Sequence, residues 1–93
     1  MRPDFPEAFT ARAAALYGLM QHDEAMAHCE VALSLDPDYA AALELKGHLL
    51  DESGRGEEAL FCYDKALLIE PERPGLQAKR NRVHAGIEKP MAH

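Results

Sequence analysis

The residues of this 93-residue chain that could carry chemistry are two cysteines, five histidines and several neighbouring carboxylates. Cys29 and Cys62 stand 33 residues apart, and neither has a second cysteine or a histidine at ligand spacing. A metal site needs such spacing, so both thiols are expected to be buried and to behave as small hydrophobic groups. His22, His28, His48, His84 and His93 include no i,i+4 pair, and no H-E-x-x-H motif is present, so no helix face gathers two imidazoles. Asp51-Glu52 and Glu57-Glu58 are adjacent in sequence, and adjacent residues on a helix point away from one another. They suit a solvated face and the positive end of a helix dipole better than an acid–base dyad. Gly54-Arg55-Gly56 is a GxG triplet, but a nucleotide-binding turn follows a strand and this one follows a helical pattern. No phosphate-binding glycine loop or nucleophile elbow occurs. The sequence predicts no enzyme, no cofactor and no metal.

The elements that would position these residues are helices. Leu43 to Pro71 reads as a helical pattern, a glycine-punctuated turn and a second helical pattern stopped by proline. Leu43, Leu50, Leu60, Tyr63, Leu67 and Ile69 supply apolar stripes, and Gly47, Ala59 and Ala66 allow close helix approach. The unit recurs: Glu24-Ala25 returns as Glu58-Ala59, Ala32-Leu33 as Ala66-Leu67, and Asp36-Pro37 as Glu70-Pro71, each after 34 residues. A fixed period of that length marks stacked helical hairpins. The spacing predicts helices over about Glu7–Met20, Asp23–Leu35 with Asp23 as N-cap, Tyr39 or Ala40–Ser53, Glu57–Ile69 and Gly75–Ile87. Met1 to Pro6 is expected to be irregular, with Phe5 stapled on the first helix or frayed, and residues 89–93 to form a short disordered tail.

Composition narrows the partners. Net charge is −6, which disfavours nucleic acid. The charge is uneven: residues 1–45 hold Arg2 and Arg12 against eight acids, while residues 46–93 hold eight of each sign. No apolar run approaches the ~20 residues that span a bilayer, and no basic-then-apolar leader opens the chain. A cytoplasmic protein without nucleic-acid or membrane partners is expected.

The 34-residue unit resembles the tetratricopeptide repeat. In the second unit Leu43, Gly47, Leu50, Ala59, Tyr63, Ala66 and Pro71 fall on that family's pattern, with Lys46 in place of leucine. In the first, Phe9, Ala13, Leu16, Ala25, Cys29, Ala32 and Pro37 do so, with departures at Arg12 and at Met20, where the family often has glycine. The resemblance implies one all-α domain, a right-handed superhelix of αα-hairpins with about five helices. Repeat one would cover residues 6–39, repeat two 40–73, and a capping helix 75–88. It also implies a non-enzymatic protein–protein interaction module that takes a peptide or partner helix in a concave groove. By matching position that groove would present Thr10, Ala14, Tyr17, Glu44, His48 and Asp51, with Lys79 and Arg82 from the last helix. Glu44, Asp51 and Asp38 would make one part acidic, and Lys79 and Arg82 another part basic. One branch of the family clamps a terminal carboxylate with lysine and asparagine. Thr10, Ala11, Ala14 and Leu45 occupy those positions here, so that clamp is not expected. The alternative role is self-assembly, as a homodimer through an apolar N-terminal edge (Phe5, Phe9, Leu16, Leu19, Met20) or as part of a longer array.

Overall fold

A computed structural model describes residues 5–88. Five helices follow one another: α1 (Pro6–Gly18), α2 (His22–Leu35), α3 (Ala40–Glu52), α4 (Gly56–Ile69) and α5 (Leu76–Glu88). No strand occurs among the described residues. Each helix packs on the next, α1 also meets α3, and the stack measures 52 × 28 × 19 Å. The expectations for Met1 to Asp4 and for the tail at 89–93 lie outside the described residues.

Local chemistry sets the boundaries. Pro6 occupies the first turn of α1, where its missing N–H costs nothing. Asp36 closes α2 in extended backbone immediately before Pro37, as the ring's clash with a helical predecessor requires. Asp23, expected as the cap of α2, lies inside it. The N-cap is Gln21, which makes no side-chain capping bond, and Asp23 and Glu24 instead place charge in the first turn. Phe5 is the N-cap of α1 and remains 41% exposed.

The core depends on small residues. Ala13, Ala25, Cys29, Ala32, Ala59 and Ala66 are fully buried. Between α3 and α4, a Cβ added at Gly47 would stand 2.8 Å from Tyr63 Cε1, closer than a real Cβ contact allows. Tyr63 is itself fully buried, so its ring has no space to retreat into. The matching positions of the first repeat are Ala13 and Cys29, where a smaller group faces a slightly larger one in the same cluster. Leu43, Leu50, Leu76 and Val83 complete the core of the second hairpin and α5. Both cysteines are free and buried, and desolvation pushes the Cys29 thiol up to about 12.

The two hairpin turns are alike despite their sequences. Gly54 N–H bonds to the Asp51 carbonyl and Arg55 N–H to that of Leu50; one repeat earlier, Met20 N–H bonds to Tyr17 and Gln21 N–H to Leu16. Gly54 has φ +81° and Met20 has φ +65°. A side chain in this left-handed region costs roughly 1–2 kcal/mol, which glycine avoids. Met20 is 78% exposed, so little packing offsets that cost. Met20→Gly is therefore expected to stabilise the protein by about 1 kcal/mol, read as a higher melting temperature. A lower melting temperature would mean that the Met20 side chain contributes packing in solution.

Candidate functional site

Side chains of α1, α3 and α5 border one groove. It has a volume of about 400 Å³ and is lined by Thr10, Ala14 and Tyr17 of α1, by Ala41, Glu44, Leu45 and His48 of α3, and by Arg73 and Lys79. Its register follows from helix geometry: Ala41, Glu44, Leu45 and His48 recur at three- and four-residue steps on one side of α3. Leu43, Gly47 and Leu50 are directed into the core. Ala14, Ala41 and Leu45 make an apolar floor between two polar clusters.

The first cluster joins α1 to α3. The Tyr17 hydroxyl donates to Glu52 Oε2 at 2.7 Å and lies 2.6 Å from His48 Nε2. With the phenol proton committed to Glu52, His48 Nε2–H donates to the phenol oxygen. Its Nδ1 is buried without a hydrogen-bond partner among the described residues. His22 stacks on Tyr17 with ring centroids 5.3 Å apart, and His48 meets the ring edge-on at 4.9 Å. The hydrogen bond to Glu52, reinforced by burial, raises the Tyr17 phenol above its usual range.

The second cluster lies on the α5 side. Arg73 Nε donates to Glu44 Oε1 at 2.6 Å, and Lys79 Nζ donates to Glu44 Oε2. Arg73 also reaches Glu70 at 3.1 Å. The Glu44 side chain is only 14% exposed. Burial by itself would raise its carboxyl, but the hydrogen bonds and charges of Lys79 and Arg73 outweigh that and hold it below the usual glutamate range.

Six of the eight residues expected at the site thus line one groove: Thr10, Ala14, Tyr17, Glu44, His48 and Lys79. Asp51 does not join them; it borders a separate depression with Gly54, Gly56, Val83 and Ile87. Arg82 is exposed on α5 and lines no part of the groove. The acidic and basic parts are not separate either, because Glu44 and Lys79 form one ion pair. Thr10 turns its hydroxyl back to the Pro6 carbonyl. Sequence reasoning missed Arg73, since it follows the helix-ending Glu70-Pro71 and no periodicity marks it. Glu52 suits a solvated face by sequence, whereas its carboxylate accepts a hydrogen bond from the Tyr17 hydroxyl. Among the described residues no cluster of three or more His, Cys, Asp or Glu has metal-binding geometry, and no helix is long and apolar enough to cross a membrane.

The tetratricopeptide-repeat pattern matches residues 10–83, most of the chain. The chain belongs to the tetratricopeptide-repeat family. Among similar proteins is small glutamine-rich tetratricopeptide repeat-containing protein 2 of Mycosarcoma maydis, 33% identical over 87 residues, covering 89% of this chain and 25% of that protein. The protein of the same name from Saccharomyces cerevisiae is 36% identical over 73 residues, covering 78% of this chain and 21% of that one. The chain therefore spans a quarter or less of the length of these relatives. A solved structure, the first tetratricopeptide repeat of Spaghetti (RPAP3) bound to the HSP90 peptide SRMEEVD, superposes with a TM-score of 0.85 at 25% identity. That match covers 91% of this chain and 68% of the other.

The lowered Glu44 carboxyl has a measurable consequence. Because its folded form is the stronger acid, pairing with Arg73 and Lys79 stabilises the tetratricopeptide-repeat fold above about pH 4.3, the unfolded glutamate value. That contribution is lost as pH falls toward the folded value. Melting temperatures from pH 6 to pH 3 are expected to fall more steeply for the wild type than for Glu44→Gln. Parallel curves would show that the pairing adds nothing to folding.

Proposed function

We propose that this chain is a non-enzymatic interaction module that seats a short peptide or partner helix in the groove between α1, α3 and α5. The observation that carries the reading is the shape and chemistry of that groove. An apolar floor of Ala14, Ala41 and Leu45 is flanked by polar groups already held in place by hydrogen bonds. Such a floor accepts an apolar side chain, while the fixed rim orients the backbone on either side. The likeness to a structure bound to a peptide supports a peptide as the kind of ligand. Self-assembly through the N-terminal edge has less support, because Phe9 and Leu16 are half-buried; Leu19 and Met20 remain exposed at 66% and 78%.

A groove this short buries little area after the ordering cost of a peptide, so affinities on the order of micromolar are expected. The test is to select heptapeptides from a random library on the purified chain and measure their binding by calorimetry. Ala14→Arg places a long side chain on an exposed position of the floor and should weaken selected peptides at least ~10-fold, about 1.4 kcal/mol. Equal affinity for wild type and Ala14→Arg would move binding elsewhere.

A further inference from the structure

Glu44 occupies an unusual place for a carboxylate. It is nearly covered, it lines the groove, and it takes a hydrogen bond from each of the two cations that line the groove, Arg73 and Lys79. Arg73 spends a further N–H on Glu70. The cluster therefore contains two acids, Glu44 and Glu70, and two bases, Arg73 and Lys79, and carries no net charge. We infer that Glu44 is a built-in anion that fills the groove's own cation site and so sets its ligand class: neutral apolar segments are taken and acidic ones are turned away.

The physical argument is competition. A carboxylate brought by a ligand must either displace Glu44 or sit beside it. Displacement sets a dissolved group against one tethered in place, whose effective concentration is on the order of millimolar or more. It would also leave Glu44 largely buried without its partners, a costly outcome for a charged group. Sitting beside Glu44 puts two like charges in contact with no surplus positive charge to offset them. On the α1 side Glu52 accepts a hydrogen bond from the Tyr17 hydroxyl and lies 3.3 Å from His48, so the imidazole there already faces a carboxylate. What remains open is the uncharged floor of Ala14, Ala41 and Leu45.

This inference rests on the groove being the binding site, and the test separates the two. The probe is the acidic peptide SRMEEVD, measured by calorimetry at low salt against wild type, Glu44→Gln and Glu44→Gln combined with Ala14→Trp, which fills the floor without adding charge. Circular dichroism confirms that each variant is folded, and Glu44→Ala serves as a second variant without the amide. Removing the Glu44 charge leaves a surplus of one positive charge beside the floor. Glu44→Gln and Glu44→Ala are expected to bind the peptide at least ~10-fold more tightly than wild type, about 1.4 kcal/mol. Raised salt should weaken that binding, and the uncharged bulk of Ala14→Trp should abolish the gain. Wild type binding the peptide as tightly as Glu44→Gln overturns the inference, as does the absence of binding in all variants. In either case library-selected peptides that Ala14→Arg excludes still support the groove. A gain that Ala14→Trp leaves intact overturns both readings.

Discussion

The distance between α3 and α4 is the constraint on which the rest of this molecule depends. Gly47 lets the Tyr63 ring lie directly against the α3 backbone, and the fully buried ring fills the space that a side chain would otherwise claim. Glycine within a helix costs roughly 1 kcal/mol relative to alanine, so the contact must contribute more than that to be worth keeping. Around it gather Leu43, Leu50, Ala59, Cys62 and Ala66, joined by Leu76 and Val83 of α5. The first hairpin solves the same problem with less material. Ala13 and Cys29 stand where Gly47 and Tyr63 stand, and among the described residues the large side chain in their buried cluster is Leu49, lent by α3.

α3 is thus the element shared by fold and site. Leu43, Gly47 and Leu50 face the second hairpin, Leu49 faces the first, and Ala41, Glu44, Leu45 and His48 are left for the groove. A change in its rotation would move the core contacts and the groove residues together. The polar clusters fix that rotation from the outside. Tyr17 ties α1 to His48 and Glu52 near the end of α3, while Arg73 and Lys79 tie the α4–α5 joint and α5 to Glu44. Preorganised groups of this kind lower the ordering cost of binding. In the proposed binding role they would also decide which ligand charges find a vacancy.

Much of this was legible in the sequence for a specific reason. Small residues and prolines recurring after 34 positions report backbone approach and chain breaks, which local composition encodes directly. That pattern carries the helix order, while the placing of Thr10, Ala14, Tyr17, Glu44, His48 and Lys79 at one groove comes from the resemblance to the tetratricopeptide repeat. Charge pairing was not legible, because Glu44 and Arg73 are 29 residues apart and meet only after the hairpins stack. Asp51 shares a face of α3 with Glu44 but stands about two turns further along the helix, where it borders the depression with Gly54, Gly56, Val83 and Ile87 instead of the groove. Met20 shows the opposite case. Its turn keeps the glycine geometry without the glycine, since the hydrogen bonds of the packed hairpin impose the backbone that the residue type disfavours.

A double-mutant cycle on Gly47 and Tyr63, read by chemical denaturation under reducing conditions, tests the α3–α4 approach most directly. In the wild type, Gly47→Ala drives a Cβ into the ring and is expected to cost about 1–3 kcal/mol. In a Tyr63→Cys background, which reproduces the pairing of the first repeat, the same substitution meets free space. It should then be neutral or stabilising by up to about 1 kcal/mol, the helix propensity of alanine over glycine. A Gly47→Ala effect of the same sign and size in both backgrounds would contradict the account, because the approach of the two helices would not depend on that contact.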